Sequence, residues 1–212
     1  MPPGTPTYPI FLKLETTRCL VVGGGQVGER KVKGLMEAGA TVVVVSPEVT
    51  DALEGMASER LTVHRRPFRE TDMDDVGLAV AATDVDSVNR AVVSAARDRG
   101  VWVNDAASRE RSTFILPASV RQGGLTLAVS TDGGSPAYAK LVREMLECEF
   151  GEEHGSMVAL LTELRPRVKE TFGEAVDRRA FWDRLVTAET LDLIKNGQIE
   201  VVKERVEQWL SS

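Results

Sequence analysis

The chain has 212 residues, 42% of them apolar and 27% charged, with a formal charge of −6. That mixture excludes a disordered tail or a fibrous repeat, and a chain of this size hides roughly 70% of its unfolded surface on folding, enough for a core without metal or disulfide staples. The acidic balance argues against a nucleic-acid partner, whose phosphates demand a basic face.

From Arg18 onward, short β-branched runs alternate with helical patterns, the rhythm of βαβ units around a parallel sheet. Residues 19–22 read as the first strand, 27–38 as a helix, 41–45 as the second strand and 50–57 as a further helix. Strands are expected at 61–65, 78–82 and 102–104, with a helix at 85–99 before the last of them. Beyond Asp105 the pattern changes. Residues 112–119 and 125–130 read as two strands separated by the turn signal Gly123-Gly124. Ser135-Pro136 then opens a helix to about Cys148, with Ser as its cap and Pro at the first helical position. Everything after Gly151 reads as helical. Pro166 is expected to kink or interrupt the first of these helices, and Gly173 and Asn196-Gly197 to separate later ones. The expected architecture is α/β. A Rossmann-like parallel-sheet domain (residues 1–111) is followed by a small α+β dimerisation or connector segment (112–149) and a C-terminal helical domain (150–212).

The run Val22-Gly23-Gly24-Gly25-Gln26-Val27-Gly28 is a G-x-G-x-x-G between a strand and a helix. Gly23 permits the tight turn, Gly25 lets backbone N–H groups approach a pyrophosphate, Gly28 allows close helix–strand packing, and the helix N-terminus favours the anion. The second strand lacks the acidic residue that usually bonds the adenosine ribose and runs into Ser46-Pro47-Glu48. Ser46 could bond the ribose, and Glu48 could reach it if a turn at Pro47 folds back. No Arg follows to receive a 2′-phosphate, so NAD is expected rather than NADP.

A glycine loop alone fits a dehydrogenase, a methyltransferase-like fold or a nucleotide-sensing module. H-E-x-x-H, G-x-S-x-G, the Walker lysine motif and zinc spacings are all absent. His64 and His154 lie far apart, so no metal ligand set is expected, and proton transfer falls to a carboxylate. Asp105, after the fifth strand at the carboxyl edge where ligands bind in open α/β sheets, is the candidate. On its own it reads first as a turn- or helix-capping residue, common in this kind of loop. Cys19 and Cys148, without C-x-x-C spacing, read as reduced, buried, inert thiols. No apolar run approaches the roughly 20 residues of a membrane helix. Residues 1–6 lack the features of a secretory leader, so a cytoplasmic protein with no membrane partner is expected.

The sequence resembles the precorrin-2 dehydrogenases, including those that also act as sirohydrochlorin ferrochelatases, the N-terminal part of siroheme synthases. The resemblance runs from Tyr8 to about Glu147. It rests on Tyr8-Pro9-Ile10-Phe11-Leu12, Gly23-Gly24-Gly25-Gln26-Val27-Gly28-Glu29-Arg30-Lys31, Ala81-Ala82-Thr83-Asp84, Val88-Asn89 and Val103-Asn104-Asp105-Ala106. Downstream it continues in Phe114-Ile115-Leu116-Pro117-Ala118, Gly124-Leu125, Ser130-Thr131 and Gly134-Ser135-Pro136. It implies NAD-dependent oxidation of precorrin-2 to sirohydrochlorin, with Asp105 at the catalytic aspartate position. Iron insertion at the same aspartate is a property of some members. It further implies a homodimer exchanging its connector segments, and an active site near the cleft between the Rossmann and connector regions. Backbone contacts to the cofactor would come from Gln26 and Val27 and from Ser46, Pro47 and Glu48, with Thr83 added to the cofactor set. Gly28 stands where the family often has Ala, and Asp132 adds a negative charge to a loop implied to face substrate.

Precorrin-2 is a polycarboxylate, and Arg109, Arg111, Lys140 and Arg143 are candidates to pair with its carboxylates, as is Ser135 at its helix start. Each of the cations also reads as a solvated surface charge, and Ser135 as a helix cap alone. For Trp182, Leu185, Leu191, Leu193, Ile194, Val201, Val202, Trp209 and Leu210, core packing is expected. The rival readings are a dehydrogenase without chelatase activity, with Fe2+ never a substrate, and a non-catalytic NAD-sensing module.

Overall fold

A computed structural model describes residues 7–56 and 58–211. Residues 1–6, read above for a leader, and Ala57, the expected end of a helix, lie outside the described residues. The chain divides into two compact units, one up to Leu116 and the other from Pro117.

The first unit holds five parallel strands, β1 (Arg18–Gly24), β2 (Thr41–Val49), β3 (Leu61–His64), β4 (Leu78–Ala81) and β5 (Trp102–Asp105), in the order β3-β2-β1-β4-β5. Strand alternation sorts their side chains into two cores, as expected for a sheet covered on both faces. Cys19, Val21, Val42, Val44, Leu78 and Val80 pack with Val32 and Leu35 of α1 (Gln26–Glu37) and Leu53 of α2 (Asp51–Glu54). Leu20, Val22, Val43, Val45, Ala79 and Ala81 pack with Val92, Val93, Ala95 and Ala96 of α3 (Asp86–Asp98). This is the Rossmann-like α/β fold expected from the sequence. Burial pushes the Cys19 thiol up to about 11.

Two local expectations need correction. The chain does not turn at Pro47: β2 continues through Val49. The pairing with β1 slips between Val22↔Val45 and Gly24↔Val49, so Ser46-Pro47-Glu48 sits in an irregular stretch, where a residue without an N–H is tolerated. The helix expected from Thr50 is a single turn whose cap is Thr50, its hydroxyl accepting from the Leu53 N–H at 3.2 Å.

In the second unit β6 (Ala118–Gln122) pairs antiparallel with β7 (Leu125–Val129) through a turn at Gly123, φ +54°. Each strand pairs with the other alone among the described residues, leaving one edge of each open. The strand expected at 112–119 begins later, at Ala118, because residues 112–114 bond to β5 as a loop. The Thr113 N–H donates to the Val103 carbonyl at 2.8 Å, and Asn104 Nδ2 donates to the Phe114 carbonyl at 3.1 Å.

Helices α4 (Pro136–Glu149), α5 (Glu152–Thr171), α6 (Ala175–Leu185), α7 (Ala188–Lys195) and α8 (Ile199–Leu210) complete the unit. Pro166 does not interrupt α5. Leu160, Leu164 and Val168 bury on both sides of it, and that packing outweighs one missing N–H bond. Phe181, Leu185, Ile194, Val202 and Val206 form the rest of the core, with Trp182, Leu191, Leu193, Trp209 and Leu210 packed against it. Val201 is exposed instead, as is Cys148 on α4. Among the described residues no helix is long and apolar enough to cross a membrane.

Candidate dinucleotide and acid site

In a parallel sheet every strand ends on the same edge, so Gly23–Gly25, Ser46–Glu48, Thr83 and Asp105 all follow or close strands at the carboxyl edge of one sheet. The strand after β1 in space is β4, whereas in sequence it is β2. The crevice where the strand order reverses, the usual ligand position in open α/β sheets, therefore lies between the ends of β1 and β4.

Gly23 has φ +117°, and a β-carbon there would meet the Ala82 carbonyl oxygen at 2.3 Å. Only glycine fits that turn. A β-carbon on Gly28 would meet the Gly23 carbonyl oxygen at 2.1 Å, so the first turn of α1 rests on the turn itself. Gly25, the N-cap of α1, is different: nothing lies within 4 Å of where its β-carbon would be, and no side chain caps the helix. The N–H groups of Gln26, Val27 and Gly28 have no acceptor inside the helix, whose first bond is Glu29 N–H to Gly25 O. Open space, unpaired donors and the positive helix end fit the diphosphate of a dinucleotide.

The turn is braced from behind. Thr50 Oγ1 donates to Glu29 Oε2 at 2.9 Å and Lys33 Nζ to Oε1 at 2.5 Å, and these bonds, that from Lys33 foremost, hold Glu29 below the usual carboxylate range. At the end of β2, Ser46 is buried while Pro47 and Glu48 are exposed. Thr83 is fixed by Asn89, 1% exposed on α3. The Asn89 Oδ1 accepts from both the Thr83 N–H (3.1 Å) and hydroxyl (2.8 Å), and Nδ2 donates to the Thr83 carbonyl at 2.8 Å. Sequence reasoning quoted Asn89 only within a motif. An Asn in the first turn of the helix that follows Thr83 was the signal for this role.

Asp105 is enclosed, its side chain 0% exposed. Oδ1 accepts the Ala107 N–H at 2.9 Å, as a turn-forming aspartate does, and Oδ2 accepts Arg111 Nε at 2.6 Å. Arg111, expected to meet substrate, is already paired: its Nη1 also lies 2.7 Å from Asp86 Oδ1. Asp105 first and then Asp86 raise the Arg111 guanidinium above its ordinary range. Arg109 is exposed and has no ion-pair partner among the described residues.

In the second unit, Ser135 caps α4, its hydroxyl accepting the Tyr138 N–H at 3.1 Å. Thr131 closes the preceding loop through its hydroxyl, which accepts the Ser135 N–H. Arg143 pairs with Glu147 at 2.5 Å and Glu144 at 3.3 Å, and Lys140 lies 3.7 Å from Glu144. The His154 ring packs tilted against Phe150, centroids 4.8 Å apart, and no group of His, Cys, Asp and Glu among the described residues is arranged to hold a metal ion.

Comparison with known proteins places the chain in a family. Residues 10–118 match a family model described as "Putative NAD(P)-binding". Residues 122–147 match the sirohaem biosynthesis protein central region and 153–210 the sirohaem synthase dimerisation region. A siroheme synthase of Methylobacillus flagellatus is 37% identical over 97% of this chain and 44% of its own length. One from Citrobacter koseri is 39% identical over 96% of this chain and 45% of its own. The chain spans less than half the length of these curated relatives. The solved structure of SirC, precorrin-2 dehydrogenase, superposes with a TM-score of 0.79 at 28% identity, covering 93% of this chain and all of that one. The chain therefore belongs to the NAD(P)-binding family, in the form where that module is followed by the sirohaem biosynthesis central and sirohaem synthase dimerisation regions.

Proposed function

We propose that this protein oxidises precorrin-2 to sirohydrochlorin with NAD as the oxidant. The observation that carries the reading is the placement, at one sheet edge, of an open glycine turn and a buried carboxylate, Asp105. The structural likeness to a precorrin-2 dehydrogenase over that chain's whole length supports the substrate.

Gly23, Gly25, Gln26, Val27 and Gly28 would hold the diphosphate through backbone N–H groups, Ser46, Pro47 and Glu48 would border the adenosine ribose, and Thr83 would line the opposite side of the crevice. The absence of a cation in the Ser46-Pro47-Glu48 stretch favours NAD over its 2′-phosphate. Bound there, NAD supplies a hydride acceptor. Asp105 would take the accompanying proton, and Arg109 and Arg111, in the loop after β5, are the cations offered to ring carboxylates.

A homodimer belongs to this reading. The match to a dimerisation region supports it, as does the outward face of α4, where Tyr138, Leu141 and Met145 recur at helical spacing and are all exposed. Fe2+ enters as a substrate for insertion into the product, a reading supported by the siroheme synthase relatives. A cytoplasmic location, supported by free Cys19 and Cys148, completes it.

The test is to supply precorrin-2 and NAD without oxygen, follow the sirohydrochlorin spectrum, and then add Fe2+ or Co2+. Oxidation followed by metal-dependent spectral change is the expected outcome. Oxidation alone would assign insertion to another protein, and NAD binding without oxidation would leave a sensing module. Asp105→Ala is expected to lower turnover at least about a hundredfold with NAD binding intact.

A further inference from the structure

The acid site is closed as it stands. With no exposed surface, and with each oxygen already accepting one hydrogen bond, this carboxylate is out of reach of a proton on a large ring. One of its two donors, the Ala107 N–H, is backbone. The other, Arg111, is a side chain at 26% exposure that divides its guanidinium between two carboxylates, Asp105 and Asp86.

We propose that Arg111 is a positioning residue that keeps Asp105 masked until a carboxylate of the substrate replaces Asp105 as its partner, so that the polycarboxylate ring itself uncovers the proton acceptor. This inference rests on the dehydrogenase reading above.

The surrounding charges spare Asp86 and Arg111 from the cost of the exchange. Asp86, half exposed at the start of α3, also accepts from Arg90, so it keeps a cation when Arg111 turns away. Arg111 trades one carboxylate for another and remains paired, so the cost of the exchange falls on Asp105, which loses its cation while still buried. The Arg111 carbonyl accepts from Arg97 at 3.1 Å, so the backbone stays anchored to α3 while the side chain moves. Arg109, exposed and without an ion-pair partner among the described residues two positions earlier, offers a first foothold for an anionic ring. The charged groups bonded around Asp105 are thus Arg111 from its own loop and, through it, Asp86, Arg90 and Arg97 from α3. Ala81, its neighbour on β4, adds none. Once Arg111 leaves, Asp105 is a buried carboxylate with a single backbone donor, the condition that raises proton affinity. The ring then loses a hydride to NAD and a proton to Asp105 Oδ2: the ring is oxidised, the nicotinamide reduced, and the carboxylate protonated.

The test follows the Asp105 carboxyl by 13C NMR in the full chain, with and without uroporphyrin as a stable polycarboxylate ring, alongside pH profiles for precorrin-2 oxidation. In the wild type, uroporphyrin is expected to move the Asp105 titration upward. In Arg111→Ala the titration is already raised without the ring. The acid limb of kcat/KM moves up by about one pH unit, and KM rises about tenfold as an anchor is lost. Arg111→Lys, which restores a cation, brings both back toward wild type. Should Arg111→Ala fail to fold, Asp86→Asn, which loosens Arg111 from outside, is expected to lower KM. An Asp105 titration that ignores the ring, a pH limb unmoved by the Arg111 variants, or full turnover by Asp105→Asn would each overturn the proposal. Absence of turnover in the wild type would instead remove the dehydrogenase reading, and the NMR arm would still decide for or against the exchange.

Discussion

The carbonyl oxygen of Gly23 occupies the place next to Gly28 that a side chain would need: a β-carbon on Gly28 would lie 2.1 Å from it. Helix α1 is seated on the glycine turn, backbone to backbone. Gly28→Ala must push one from the other and is expected to destabilise the first unit by about 1–3 kcal/mol, the usual cost of overpacking. Urea unfolding of the two proteins measures it, and equal midpoints would show that the turn yields freely.

Gly25 gives the opposite result. Its φ of −76° suits any residue and no atom stands near its missing β-carbon. Gly25→Ala is expected to leave stability within about 1 kcal/mol of wild type while weakening NAD at least about tenfold, because the methyl group enters the space kept for the diphosphate. Calorimetric titration with NAD, paired with a thermal melt, separates the two effects. Unchanged affinity would place the diphosphate elsewhere.

Asn89→Leu keeps the volume of a buried side chain but strands the N–H and carbonyl of Thr83, whose hydroxyl keeps its bonds to the Val85 backbone. A loss of about 1–3 kcal/mol is expected, together with weaker NAD binding as Thr83 loses its fixed position. Thr83→Val, which removes only the hydroxyl, should cost less. The reverse order would mean that Asn89 acts through something other than Thr83.

Part of the acid sensitivity of the first unit should trace to Asp72. Its carboxylate accepts from Arg66 Nη1 and Nη2 at 2.8 and 2.5 Å and from the Arg69 N–H at 2.8 Å, and the Arg66 bonds above all lower its pKa. A group whose pKa is depressed by folding contributes stability above its unfolded value, near 3.9, and loses it as pH falls through the folded value. Asp72→Asn is therefore expected to lower stability at pH 7 and to flatten the decline below about pH 4. Melts at pH 7, 4 and 3 decide it. Parallel declines in both proteins would assign the acid sensitivity to other carboxylates.

The sheet could be read from the sequence because its message is local. Val42–Val45 and Leu20–Val22 are dense β-branched runs, each followed by a turn or helix signal, and the glycine motif marks the junction directly. What escaped depends on partners distant along the chain. Residues 112–117 look like a strand because Phe114, Ile115 and Leu116 are apolar, yet Thr113 and Phe114 spend their backbone groups on β5. The passage of β2 through Pro47 rests on a slip against β1 that no single strand announces. Within the site, the glycines, Thr83 and Asp105 were legible as positions. The capture of Arg111 by Asp105 and Asp86 was not, since its three members come from a strand end, a loop and a helix start. The break between α6 and α7 does carry a local trace in Thr187, which accepts the Thr190 N–H at 3.2 Å, the mark of a helix cap.

The open edges of β6 and β7 have a thermodynamic corollary. A ribbon of two strands is marginal in water on its own, and here α4 and α5 cover it, whereas the five-stranded sheet is packed on both faces. Where a second copy completes the ribbon, that half of the molecule melts at a temperature that climbs with concentration, while the nucleotide half does not. On progressive dilution one calorimetric peak should divide into two.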